Sequence, residues 1–389
     1  MKKNALKTLA LLLAAVLVLG SFAGCGQTAQ EPSAPPESEA PVTGGDDTPA
    51  EPVTITFWHT YSDSEEAQLL DVVLPLWNEL HPEITVEAVR QDSSQYHEMI
   101  VTSFGTGASP DVARVDIANI AAYAAQGGLV ALSDYPDFAE ISADYMDAPL
   151  STNLYQGKYY GLPLDTNCKA AVVNLNVLAE LGLDAVPETL EELIEAASGR
   201  GSYTINVSGV GDWDMYPYFW LFGGVDGSVD AWDGINSEYA MFFEGPWYFG
   251  SYEDSEAKGI VAATIPTYNG KSASVVGGEN VAVFSTSENP DAAYEFAKFL
   301  TSTEAQLALL QAGQLPILKS LVDSDEVQSN PVWSVYMAQM ESAKARIPSP
   351  NNSNIQQIWS DMVTNIFVSG ADITTELQNA AALIDEQLA

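Results

Sequence analysis

The 389-residue chain holds many side chains suited to binding and few arrangements suited to catalysis. Its histidines, His59, His81 and His97, are scattered and form no His-x-x-x-His pair for zinc. Asp212 and Asp214 flank a tryptophan without the spacing of a calcium loop. There is no Gly-x-Ser-x-Gly elbow and no phosphate loop of the Gly-x-x-x-x-Gly-Lys type. Cys168 has no histidine near it in sequence, which argues against a nucleophile. Paired carboxylates can hydrolyse glycosides, but among 53 acidic residues a close pair carries little information. The expectation is a protein with no catalytic residue, no metal ligand and no cofactor. What remains is a set of aromatic and planar polar side chains at the ends of predicted strands. Trp58, His59 and Tyr61 follow the first, and Asp116 follows the third. Trp247 comes after Gly245-Pro246, and Glu279 and Asn280 come after a glycine pair. Aromatic rings offer large apolar area at low entropic cost, and carboxylates and amides accept or bridge hydroxyl hydrogen bonds. Together they suit a ligand that offers both flat apolar faces and hydrogen-bonding groups. The same residue types also serve structure: Trp packs cores, and Asp caps helices.

The elements that must position these side chains alternate. Val53 to Trp58 has period two and reads as a strand. Ser62 and Glu65 form a capping box, followed by Leu69, Leu70, Val73, Leu74, Trp77 and Leu80 at helical spacing, with Pro75 expected to bend that helix. Ile84 to Val89 and Asp111 to Val115 read as strands, with helices over Tyr96 to Phe104 and Ala118 to Ala125. Further strands are predicted at Ala170 to Asn174, Ala240 to Glu244, Gly259 to Ile265 and Val281 to Phe284. Helices are expected from Thr189, from Asn289-Pro290 to Leu300, from a Thr301/Glu304 cap, and through Asn354 to Leu388. This rhythm argues an α/β protein with parallel or mixed sheets, better divided into two lobes than built on one oversized sheet.

The N-terminus carries its own address. Lys2, Lys3 and Lys7 precede an apolar run from Leu9 to Leu19, then Ser21-Phe22-Ala23-Gly24-Cys25. A basic head, a short apolar stretch and small residues before a cut make a secretory signal over residues 1–24. The run is shorter than the roughly 20 residues a bilayer span needs. The ending resembles a bacterial lipobox, with Phe22 in place of the usual Leu. That resemblance implies cleavage before Cys25 and acylation of it, and several acyl chains anchor where one is marginal. Residues 25–52 are rich in Pro, Ser, Glu, Ala, Thr and Gly, without Lys, Arg or aromatic residues, and read as a disordered leash. The net charge of −39 repels nucleic acid and anionic lipid and favours solubility at a crowded surface. With Cys25 lipidated, Cys168 stands alone and no internal disulfide is possible.

From Val53 to Leu388 the chain resembles the extracellular solute-binding proteins of carbohydrate ABC importers, the family that includes maltose-binding protein. The pieces come in family order: Phe57-Trp58-His59; Gly107-Ala108-Ser109-Pro110-Asp111-Val112; Ala125-Gln126-Gly127-Gly128-Leu129; Gly157 to Pro163 before Asn174-Leu175-Asn176; Pro187-Glu188-Thr189; Phe243 to Trp247; Gly277 to Asn280; Glu304-Ala305-Gln306; and Leu315-Pro316. The resemblance implies a periplasmic-binding-protein-like fold, two α/β lobes joined by crossing segments around a ligand cleft. Carried over, one lobe takes 53–166 and 268–315, the other 167–267 and 316–389. It places Asp165 and Asn167 at the first crossover. Tyr218, in the aromatic stretch Tyr216-Pro217-Tyr218-Phe219-Trp220 that divides between cleft and core, and Trp359, on a late helix, are further ligand-binding candidates. The implied partners are a carbohydrate, ABC permease subunits with a separate ATPase, and the membrane through the N-terminal lipid, with no nucleic acid. Between Gly224 and Tyr239 the chain is shorter than the family usually is, which leaves the second lobe abbreviated. The same scaffold could serve another solute, or a surface sensor that has given up transport.

Overall fold

The computed structural model describes residues 52–199, 205–206, 211–222, 239–251 and 254–389. The signal, Cys25, the leash and the segment between Gly224 and Tyr239, with Trp232, lie outside the described residues.

A five-stranded mixed sheet is built from β1 (Val53–His59), β2 (Ile84–Arg90), β3 (Val112–Asp116), β6 (Leu162–Pro163) and β13 (Glu279–Val283), in the order β2-β1-β3-β13-β6. β1 runs parallel to β2 and β3, and β13 closes the sheet antiparallel to β3 and β6. Side chains alternate across a strand, so this sheet has two faces. Phe57, Val112, Val281 and Val283 join a core with Trp77, Phe296 and Leu300 on one side. Ala113, Val115 and Ala282 join Tyr96, Ile120 and Tyr123 on the other. A small hairpin, β4 (Leu154–Tyr155) with β5 (Lys158–Tyr159), lies nearby in the chain.

A second sheet orders β11 (Ile260–Ala263), β8 (Ala170–Asn174), β10 (Met241–Glu244) and β9 (Ile205–Asn206). Its core gathers Val173, Leu190, Tyr218, Phe243 and Val363. Between the two runs a three-stranded ribbon, β14 (Ala343–Lys344), β12 (Ser274–Gly277) and β7 (Asn167–Cys168). Its own apolar cluster includes Cys168, Val276, Leu315 and Tyr336.

Local chemistry explains most boundaries and two departures. The capping box of Ser62 and Glu65 is formed. Pro75 does not bend a plain α-helix. Leu69–Val73 is a π segment in which Leu74 N–H donates to Leu69 O, and Pro75 then opens the next helical stretch, Leu74–Leu80. A proline lacks a donor and crowds the preceding turn, and a widened turn relieves both. The helix Thr303–Leu310 is capped by Ser302, whose hydroxyl accepts from Ala305 N–H, not by Thr301. Thr301 instead hydrogen-bonds Tyr145 Oη at 2.7 Å in the interior. Gly107 and Gly370 end their helices at φ 69° and 68°, a left-handed turn that glycine takes without penalty.

Candidate functional site

Two adjoining cavities, of about 510 and 260 Å³, share Asn167, Trp247 and Glu279 as lining residues. All three elements of the fold contribute. Arg114 and Glu279 come from the five-stranded sheet, Asn167 from the ribbon, and Trp247 from the turn after β10. Loops and strand ends of open α/β sheets are where ligands bind.

The larger cavity has a charged floor. Arg114 is buried and donates to Thr60 Oγ1 at 2.9 Å. Its guanidinium lies 2.8 Å from Glu279 and 3.5 Å from Asp165, and its Cζ stacks 4.7 Å above the Tyr61 ring. Burial works against the Arg114 charge, and Glu279 and Asp165 outweigh it. Burial pushes both carboxyls up, Glu279 well above the usual range, with Arg114 opposing and the neighbouring Asp165 adding to the effect on Glu279. Glu279 N–H donates to Asp165 Oδ1 at 3.2 Å and fixes their spacing. Gln314 and Trp333 close other sides of this cavity.

The smaller cavity is walled by indoles. Trp213 and Trp247 lie with ring centroids 5.9 Å apart at 33°. Trp247 is 40% exposed, unusual for so large an apolar ring. Behind Trp213 sits Lys169, fully buried, between Asp214 at 2.8 Å and Glu244 at 2.9 Å, with its ammonium 5.2 Å from the indole centroid. Arg346 approaches the same ring at 5.9 Å, 3.4 Å from Asp212 and 4.0 Å from Asp116. Two glycines make room for the indoles: a Cβ at Gly245 would overlap the Trp247 ring, and one at Gly277 would overlap Trp213 and Asn167.

The sequence candidates divide. Asp116, Asp165, Asn167, Trp247 and Glu279 line the cavities. His59 and Tyr61 are buried just behind the floor, His59 with Nε2 3.8 Å from Glu66 and Tyr61 beneath Arg114. Trp58 is not at the site. It shares a face with Ala113 and packs against the Tyr96 and Tyr123 cluster. Asn280 is likewise on the far face, fully buried, where its Oδ1 accepts from Asn153 Nδ2 at 2.8 Å. Tyr218 is a core residue. It stacks on Phe243 at 4.4 Å, donates to Asn206 O at 2.5 Å and accepts from Phe243 N–H at 3.2 Å. Trp359 packs against Tyr216 at 4.7 Å and the second sheet's core. Cys168 is buried, and burial pushes its thiol up to about 12, away from the reactive thiolate.

Sequence reading missed Arg114, Trp213, Trp333 and Arg346. Arg114 had a signal: it is a lone charge inside the apolar strand Val112-Ala113-Arg114-Val115, and a buried charge needs partners. Trp213 was noticed only as the residue between two acids. Among the described residues, no group of three or more His, Cys, Asp or Glu is placed to hold a metal ion. None of the described helices is long and apolar enough to cross a membrane.

Known proteins share this layout. The crystal structure of the cyclic alpha-maltosyl-1,6-maltose binding protein from Arthrobacter globiformis superposes with a TM-score of 0.75 at 21% identity, covering 87% of this chain and 99% of that one. The likeness gives the fold, the mixed α/β periplasmic-binding-protein fold. The galactooligosaccharide-binding protein of Bacillus subtilis (strain 168) is 21% identical, covering 84% of this chain and 88% of that protein. The diacetylchitobiose binding protein DasA of Streptomyces coelicolor is 24% identical over 196 residues, and the match spans 43% of its length. Residues 61–307, well over half of the chain, match the model of one family. That match, on this fold, makes the chain a member of the bacterial extracellular solute-binding proteins, which hold a solute without transforming it.

Proposed function

We propose that this protein captures a sugar or oligosaccharide outside the cell and hands it to the membrane subunits of an ABC importer, whose separate ATPase supplies the energy. The observation that carries the reading is the pair of indoles, Trp213 and Trp247, set beside Asn167 and the carboxylates of Asp165 and Glu279. Stacking planes and planar hydrogen-bond groups side by side are what a pyranose needs. The relatives support it, since their names specify a galactooligosaccharide, diacetylchitobiose and a cyclic maltosyl-maltose. We read the lobes as 53–166 with 268–315 and 167–267 with 316–389, hinged at the ribbon. A Kd near 1 μM, about −8 kcal/mol, is within reach of two stacked rings and several hydrogen bonds. The lipobox-like Cys25 would tether the protein to the outer face of the membrane.

Intrinsic fluorescence or calorimetry against a sugar panel tests the reading. At least one sugar is expected to bind, and Trp247→Ala to weaken it by about 2 kcal/mol or more, the scale of a lost aromatic anchor. If the panel is silent and another solute class binds, the sugar assignment is wrong. Radiolabelled palmitate should enter the wild type and not Cys25→Ala, and that variant should leave the membrane fraction.

A further inference from the structure

Resting on the sugar reading, the charge balance of the site says what kind of sugar. The larger cavity is lined by Glu65, Asp165 and Glu279 against one cation, Arg114. The smaller adds Asp116 and Asp212 against Arg346. Carboxylates abound on this chain's surface, where water solvates them at little cost. These are different: the side chains of Asp165, Asp212 and Glu279 are 4%, 8% and 23% exposed. A buried carboxylate without its share of countercharge is costly. Glu65 is half-buried and Asp116 is exposed, so the shortage falls on the other three, which share two guanidiniums. Burial together with that shortage drives the Glu279 carboxyl toward its protonated form.

A second observation points to a ligand independently of the acids. The Arg114 side chain is 7% exposed, yet its Nε has no hydrogen-bond partner. Arg346 Nε, Asn167 Oδ1 and Gln314 Oε1 are also buried without partners. Buried donors and acceptors left unpaired cost about 1–3 kcal/mol each. Donors ask for hydroxyl or ring oxygens, and acceptors ask for hydrogens. A neutral sugar answers both but leaves the shortage of countercharge. A uronate or sugar phosphate would worsen it. The two indoles fit a cation equally well, because a ring face attracts positive charge.

We propose that the preferred ligand is an amino sugar, a glycoside bearing a free protonated amine, with its ring faces on Trp213 and Trp247 and its ammonium group against Glu279 and the neighbouring carboxylates. N-acetylation would remove the charge and keep the ring, which makes it the sharp control.

The test is calorimetric titration of the full chain with four disaccharides: the glucosamine dimer, its diacetyl form, cellobiose and digalacturonate. The diamine is expected to bind at least about tenfold more tightly than its diacetyl form and cellobiose, the scale of a partly screened charge pair. Digalacturonate should not bind at the same concentration. Raising ionic strength from about 0.05 to about 0.5 M should narrow the ratio of diamine to neutral affinity. Glu279→Gln and Asp212→Asn should each narrow it further, judged only in protein that keeps its far-UV spectrum and a cooperative melt. Neutral sugars that match or exceed the diamine, or binding of the uronate, would overturn the amine preference and leave the sugar reading in place. Silence from all four and from the wider sugar panel would remove both.

Discussion

Tyr218 marks the line between site and core at the level of single residues. It is fully buried, and its hydroxyl bridges Asn206 O and Phe243 N–H, tying the helix Asp212–Phe222 to β9 and β10. Tyr218→Phe removes both hydrogen bonds from the interior, and the expected loss is about 1–3 kcal/mol in urea denaturation. Sugar affinity should change little, because the ring contact with Phe243 remains. His59 gives a pH dependence with a definite sign. Burial holds it down at about 4 against an ordinary 6.5, with Glu66 opposing and Arg114 and Arg90 adding. Between those values the unfolded chain binds the proton and the folded chain does not. Stability is therefore full above about pH 6.5 and falls as the pH drops, by about 3 kcal/mol from this group once below both values. Glu279 acts in the opposite sense. Its folded form holds a proton more tightly, so its contribution is full at low pH and fades as pH rises past the ordinary carboxylate range. Urea midpoints from pH 4 to 7 should fall more steeply on acidification in the wild type than in His59→Gln. In NMR titration, the imidazole of the wild type should stay neutral down to about pH 4. Protonation near 6.5 would show that the ring is reached by solvent.

At the scale of elements, strand pleating decides which neighbours in sequence share a site. β3 and β13 pair Asp116 with Glu279 and Arg114 with Val281, so Arg114, Asp116 and Glu279 stand on one face. Asn280 and Trp58 fall on the other. Period two marked the first strand, and the other strands named from sequence fall on β2, β3, β8, β10, β11 and β13, while the two- to four-residue strands of the ribbon were not legible. Reading Trp58-His59 or Glu279-Asn280 as joint strand-end groups ignored the alternation, which a one-residue step always imposes. The partners of Arg114 were not legible, because Asp165 and Glu279 reach it from distant segments of chain. Gly245 offers a test at this scale. A Cβ there would meet the far end of the Trp247 indole, a side chain 40% exposed, rather than backbone. Gly245→Ala is therefore expected to leave the melting temperature nearly unchanged while lowering sugar affinity by about tenfold, or 1.4 kcal/mol. Equal affinity would show that the ring's seat does not matter to the ligand.

In the proposed division into lobes the ribbon β14-β12-β7 is the hinge, and its Asn167 lines the cavity. A ligand touching Arg114 and Glu279 on one side and Trp247 on the other stabilises the arrangement in which both reach it. At a hundredfold excess over Kd, binding should add about 2.7 kcal/mol to stability. The chain's charge opposes the same closure. With a net charge of −39, the two proposed lobes are expected to repel across the cavity when nothing fills it. That repulsion acts through solvent, so it weakens as the screening length shrinks from about 10 Å at 0.1 M salt to about 3 Å at 1 M. Small-angle scattering should then show two behaviours. Without ligand, the radius of gyration should fall as salt rises, because screening lets the halves approach. With a saturating sugar it should be smaller at low salt and nearly independent of salt, because contacts rather than screening hold the halves together. A ligand-free radius unmoved by salt would mean that the ribbon sets the angle between the halves. A radius unmoved by sugar would mean that this cavity fills without closing.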